Sequence, residues 1–223
     1  MSKPTPQQIE AGQAIYSKPF LFVYDQFILG FFCRYVWRCS LGRLLKLYGQ
    51  RVSAKHLDVG VGSGYFLDRV EFPGSAPRLA LLDLNRNSLD VSAKRLARYS
   101  PEVYRRDVFQ PIEIGGQGFD SVGMGGLLHC LPGTIRTKGV VLNHLKPLMN
   151  PGGVLYGYTL LGKGVSRTWL ARMTMYHLNA RRVFSNRDDD PDGLREELAR
   201  RFQDSGVKVV GCMALFWARE AAQ

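Results

Sequence analysis

A chain of 223 residues, 45% hydrophobic and 22% charged, carries enough apolar surface for one ordinary core; this excludes wholesale disorder and requires no second complete domain. The formal net charge of +11 is compatible with acidic substrates, nucleic acid or an anionic membrane surface, but the basic residues are dispersed and no lysine/arginine run reads as a nucleic-acid tail. Four scattered cysteines (Cys33, Cys39, Cys130, Cys212) show neither C-x-x-C pairing nor metal-ligand spacing, which predicts reduced thiols in a cytoplasmic protein.

In chain order, residues 1–9 read as a loose polar arm, and the polar start shows no cleavable signal peptide. Residues 10–50 read as helical segments broken near Lys18-Pro19 and near Ser40-Leu41-Gly42. The aromatic stretch from Phe20 to Trp37 contains Asp25, Gln26 and Arg34, so its apolar run falls far short of the ~20 residues of a membrane span. It predicts a helix buried on several sides, a membrane-surface helix being the alternative. From Lys55 onward strands are expected at 55–59, 78–83, 102–106, 119–123, 152–158, 206–211 and 213–218, and helices at 64–72, 87–98, 133–148 and 191–204. Such alternation implies a mostly parallel sheet with helices on both faces. The last two strands are too close in sequence for a crossover, so they form a hairpin and one strand runs antiparallel. Residues 159–190, with Gly162, Gly164 and the polar run Ser185 to Asp190, read as an insertion.

Residues 56–64 read His56-Leu57-Asp58-Val59-Gly60-Val61-Gly62-Ser63-Gly64: an apolar strand with an acid near its end, then three glycines at alternate positions. Glycines so placed let the backbone turn tightly and approach a ligand closely. A dinucleotide fingerprint needs G-x-G-x-x-G, but the sixth position from Gly60 is Tyr65. The pattern instead resembles the first motif of the class I methyltransferases, an apolar strand followed by Asp/Glu-x-Gly-x-Gly-x-Gly. The resemblance covers residues 55–158 by motif and the C-terminal hairpin by architecture. It implies a Rossmann-like fold with a seven-stranded, mostly parallel sheet, a helical lid over residues 1–50 and a core over 51–223. The cofactor it implies is S-adenosyl-L-methionine, released as S-adenosyl-L-homocysteine.

Carried onto this sequence, the resemblance places Asp83 and Leu84, at the end of the second strand, on the ribose; a carboxylate there accepts from both hydroxyls. A plain helix N-cap is the other reading of Asp83. Asp107 would meet the adenine amino group and Val108 the ring, with a turn aspartate as the alternative. Asp58 would hold the glycine loop in shape or bond the methionine amine, Met124 would border the methionine moiety, and Tyr16 or Tyr24 of the lid could reach its carboxylate. His129, in the fourth-strand exit, is the candidate proton acceptor, packing being the alternative; His144 lies on a helix expected to be remote from the site. There is no Asp/Asn-Pro-Pro-Tyr/Phe, no acidic pair after Asp120 and no Lys-Asp-Lys-Glu tetrad, which favours a small, rather apolar acceptor over nucleic acid. The alternatives are a non-methylating cyclisation or rearrangement on the same fold, an RNA methyltransferase, and a module that binds the cofactor without catalysis.

Overall fold

The computed structural model describes residues 25–221. Seven strands form one sheet: β1 (Lys55–Val59), β2 (Arg78–Asp83), β3 (Glu102–Arg105), β4 (Phe119–Gly125), β5 (Met149–Leu160), β6 (Asp204–Val210) and β7 (Met213–Arg219). Their order is β3-β2-β1-β4-β5-β7-β6, with β1 to β5 parallel and β7 antiparallel to both of its neighbours. This is the expected architecture, including the hairpin strand. The strand β5 is longer than its apolar run suggests, and its register against β4 shifts between Phe119 and Ser121, where Pro151-Gly152-Gly153 loops out of the pairing.

Alternation along the central strands divides the core. Leu57 and Val59 of β1, with Ala80 and Leu82 of β2, face one side. Against them pack Ile135 of α5 (Ile135–Lys138), Val141 and Leu145 of α6 (Val140–Leu145), and Leu194 and Leu198 of α8 (Pro191–Ala199). Leu79 and Leu81 face the other side with Leu67 of α3 (Tyr65–Arg69), Leu89 of α4 (Arg86–Arg95) and Tyr48 of α2 (Leu41–Gly49). Asn85 caps α4, its side chain accepting from the N–H groups of Asn87 and Ser88 at 2.8 and 3.3 Å.

Three expectations need correction. The helix α1 (Asp25–Val36) is wound wide, in π-type turns, and is not buried all round: Leu29, Cys33 and Val36 point inward while Phe31 and Tyr35 are exposed. The helix expected at 133–148 is interrupted at Gly139, a position where the Glu197 carboxylate packs so close that a Cβ would collide with it. The insertion 159–190 contains a helix, α7 (Trp169–Ala180), whose Thr168 cap accepts from Ala171 N–H at 3.1 Å. Ala171 and Met175 of α7 join the cluster of Leu29 and Cys33, and Trp169, Met173 and Tyr176 on the opposite face are exposed.

The rest of the insertion is pinned by a fully buried ion pair. Lys138 Nζ lies 2.5 Å from Asp189 Oδ2 and donates to Ser185 O at 2.6 Å. Burial lowers the Lys138 pKa and pushes Asp189 up to about 6, the attraction between them offsetting part of each shift. Removing one partner strands the other charge away from water. Lys138→Ala is expected to cost about 3–5 kcal/mol in urea unfolding, and the double change Lys138→Met/Asp189→Leu to recover most of that loss.

Candidate active site

Beyond β1 the chain turns through Gly60, Gly62 and Gly64 at φ +73°, +53° and +72°, a left-handed region that glycine alone enters without strain. The three glycines serve different ends. A Cβ on Gly60 would lie 2.9 Å from Leu127 Cδ1, and one on Gly64 3.1 Å from Ser92 Cβ, so both let backbone pack closely. A Cβ on Gly62 would meet nothing within 4 Å; this glycine keeps open space open.

That space is a crevice of about 520 Å³, its open mouth included. It is bounded by Leu29 of α1, Tyr48 of α2, Asp58, the loop 60–64, the first turn of α3, Gly125, Gly126 and Tyr158. The strand order sets what lies beside it. The segment after β3, the end of β2, the loop after β1 and the end of β4 follow one another along one sheet edge, where open α/β sheets bind ligands.

Asp58 is almost wholly buried at this edge. Burial pushes its pKa up, and the facing His56 imidazole and the Tyr48 hydroxyl offset part of the shift. Its Oδ1 has no hydrogen-bond partner, and His56 Nε2 stands 3.8 Å away. Gly123 makes room for both, since a Cβ there would lie 2.7 Å from Asp58 Oδ1 and 3.1 Å from the His56 ring. Asp83 accepts from Asn85 N–H at 2.8 Å and also from the backbone of Gly62 and Leu84, which ties the glycine loop to the end of β2. Burial nevertheless raises its pKa to about 6.

The sequence-expected residues therefore separate. Asp58, Gly60, Gly62 and Gly64 line the crevice, and Asp83 is joined to it through Gly62. Leu84, whose carbonyl accepts from Arg105 Nε at 3.1 Å, and Asp107, whose Oδ1 accepts from Phe109 N–H at 2.9 Å, stand further along the same edge. Val108 is buried, and its carbonyl receives the His144 Nδ1 hydrogen at 2.8 Å, so His144 steadies this turn. Met124 is inside the core on the Leu57 side, leaving Gly125 and Gly126 to border the crevice. His129 is buried, with Leu160 N–H donating to its Nδ1 at 3.3 Å and Phe184 edge-on at 4.6 Å. Burial, and secondarily the Lys138 charge, lower its pKa to about 3. Tyr16 and Tyr24 lie outside the described residues.

Sequence reasoning missed Tyr48, Phe66 and Tyr158. Tyr48 stacks on Phe66 at 4.8 Å and Phe66 meets Tyr158 edge-on at 5.7 Å, forming an aromatic wall. The signal available was Gly125-Gly126, whose missing side chains admit the Tyr48 and Tyr158 rings.

Residues 57–155 match the family model described as a methyltransferase domain. The chain is 40% identical to demethylluteothin O-methyltransferase from Streptomyces thioluteus over 95% of its own length and 92% of that protein's. It is 36% identical to methyltransferase verB from Penicillium polonicum, with 92% and 96% covered. Among solved structures the DhpI–SAH complex superposes with a TM-score of 0.69 at 17% identity, covering 99% of this chain and 100% of that one, which shows a shared fold.

Gly123→Ala is expected to push Asp58 and His56 apart and lower stability by about 1–3 kcal/mol, read from the urea midpoint.

Proposed function

The chain belongs to the S-adenosylmethionine-dependent methyltransferases, and from that premise we propose that the crevice at Gly60–Gly64 methylates a hydroxyl oxygen of a small, rather apolar molecule. One observation carries this reading: the crevice is lined by Asp58 and by Gly62, and the Gly62 backbone is bonded to Asp83, so two carboxyl groups on neighbouring strand ends are tied to one glycine-rich turn. The choice of oxygen follows the O-methyltransferase relative of Streptomyces thioluteus.

The residues fit the cofactor on chemical grounds. Asp83, held by three backbone N–H groups, has about one of its roughly four lone-pair sites left to accept from a ribose hydroxyl. Asp58 lines the crevice, where its carboxyl would meet a cationic amine. Asp107 and Val108, steadied by His144, take the adenine edge and face, with Leu84 beside them. The backbone at Gly125 and Gly126 borders the methionine end. S-Adenosyl-L-methionine supplies an activated methyl group on its sulfonium and leaves as S-adenosyl-L-homocysteine.

The protein's work is alignment and exclusion of water, tasks worth several powers of ten when a donor and acceptor are held in line. Leu29, Tyr48, Phe66 and Tyr158 provide an apolar wall for this. His129 shapes the floor behind β4 in this reading. Its Nδ1 lone pair is already engaged and its imidazolium is too acidic to persist at neutral pH, so the acceptor's proton is released to bulk solvent with the products. His129→Asn is then expected to keep kcat at pH 7.5 within about tenfold, whereas loss of a general base costs about 10²–10⁴.

Asp83 sets a pH dependence. The folded apo-protein holds this proton more tightly than the unfolded chain, so the group's contribution to stability declines as pH rises from 3.8 to about 6. Cofactor binding favours the ionised form, so affinity increases over the same window. Calorimetry from pH 5 to 8 should show tighter binding with a midpoint near 6. Asp83→Asn should weaken binding about 10–100-fold at pH 7.5 and flatten the profile, with the fold intact by circular dichroism. Unchanged affinity in that variant would refute the assignment.

A further inference from the structure

The hydrogen bonds around His56 fix where its protons are. Ser53 Oγ donates to the Lys55 carbonyl at 2.9 Å, which uses its single hydrogen. Ser53 and Ser121 hydroxyls are 2.7 Å apart, so Ser121 must be the donor of that bond. The hydrogen of Ser121 is then spent, and Ser121 Oγ can only accept from its other two neighbours. Those are Ser53 N–H at 2.9 Å and His56 Nδ1 at 2.8 Å. Nδ1 therefore carries a hydrogen, and the chain of donors closes with both Ser121 lone pairs filled.

This leaves Nε2 facing Asp58 Oδ1 at 3.8 Å, neither atom having another partner, both away from water. A bare Nε2 lone pair opposite a carboxylate would set two unsolvated acceptors against each other. A second proton on the line between them removes the conflict, whether it rests on the ring or on the acid. Among the described residues, the titratable groups interacting with Asp58 besides His56 are the Tyr48 hydroxyl from α2, the Tyr156 hydroxyl from β5 and the Asp83 carboxyl from β2, none of them cationic. Tyr156 stacks over the imidazole at 5.9 Å and 26°, and Phe72 closes the other approach at 6.1 Å.

We propose that His56 is a positioning residue of the donor site, anchored through Nδ1–H by Ser121 and Ser53 and sharing a second proton with Asp58, so that the pair is neutral as a whole and Asp58 is held in place at the crevice. The Nδ1 hydrogen stands on hydrogen-bond geometry and the second proton on the burial of two facing acceptors, whereas the positioning role rests on the reading of the crevice as the S-adenosylmethionine site. Burial of Asp58, which disfavours its free anion, agrees with it.

The test has two arms. In protein labelled with ¹⁵N-histidine, two-bond ¹H–¹⁵N correlations assigned by comparison with His56→Gln should show the His56 Nδ1 protonated from pH 6 to 8.5. A bare Nδ1 with hydrogen on Nε2 alone would overturn the proton count. In calorimetry with S-adenosylhomocysteine, His56→Phe should bind at least tenfold more weakly, while His56→Gln, whose amide can donate to Asp58, should stay within about threefold of the parent. Ser121→Ala, which frees Nδ1 without touching the crevice, should weaken binding to an intermediate degree. Parent-like affinity in His56→Phe would overturn the positioning role. If the parent itself binds no S-adenosylhomocysteine, the crevice reading fails and the positioning role with it, while the spectroscopic arm still decides whether Nδ1 carries a hydrogen.

Discussion

A carboxyl group taken out of water at the end of β1 constrains everything built around it. Asp58 cannot be left alone there, because an uncompensated buried carboxylate costs several kcal/mol. Its needs reach into three elements. Two residues back on the same strand face, β1 brings His56; α2 is set so that the Tyr48 hydroxyl reaches the acid; and β4 omits a side chain at Gly123. The aromatic wall follows, since the position of Tyr48 stacks it on Phe66 and sets it edge-on to Tyr156. The crevice owes its form to this polar centre as much as to the glycine turn.

Opposite the glycine loop, a different buried charge organises the other wall. Lys138 and Asp189 join α5 to the end of the insertion, and Ser185 N–H donates to the His129 carbonyl at 2.8 Å within the same knot. His129 is held by its backbone on one side and by Leu160 N–H on the other. Its neutrality follows from the loss of water and secondarily from the neighbouring Lys138 charge, which together make it a poor base.

Much of the fold could be read in advance because parallel strands, buried on both faces, appear as short apolar runs between turn residues. β1 and β2 fall at the expected residues for this reason. What escaped depended on distant contacts. α7 buries little more than Ala171 and Met175, too faint an apolar stripe to announce a helix. Gly139 looks like a tolerable helix glycine until Glu197 arrives from sixty residues away. At the site, the glycines and acids were legible because their spacing is local. Tyr48 and Tyr158 were not, since a tyrosine in a helix or strand reads as core until its neighbours are known, and whether Met124 turns to the crevice or to the core depends on which face of β4 it occupies.

The antiparallel placement of β7 has a consequence for assembly order. β6 pairs with β7 alone, and β7 reaches the remainder of the sheet only through β5. During synthesis β6 therefore emerges before its strand partner, with only the α8 helix to pack against. It waits until residues 213–219 have followed and zipped onto β5, so both strands join the sheet in a single late event.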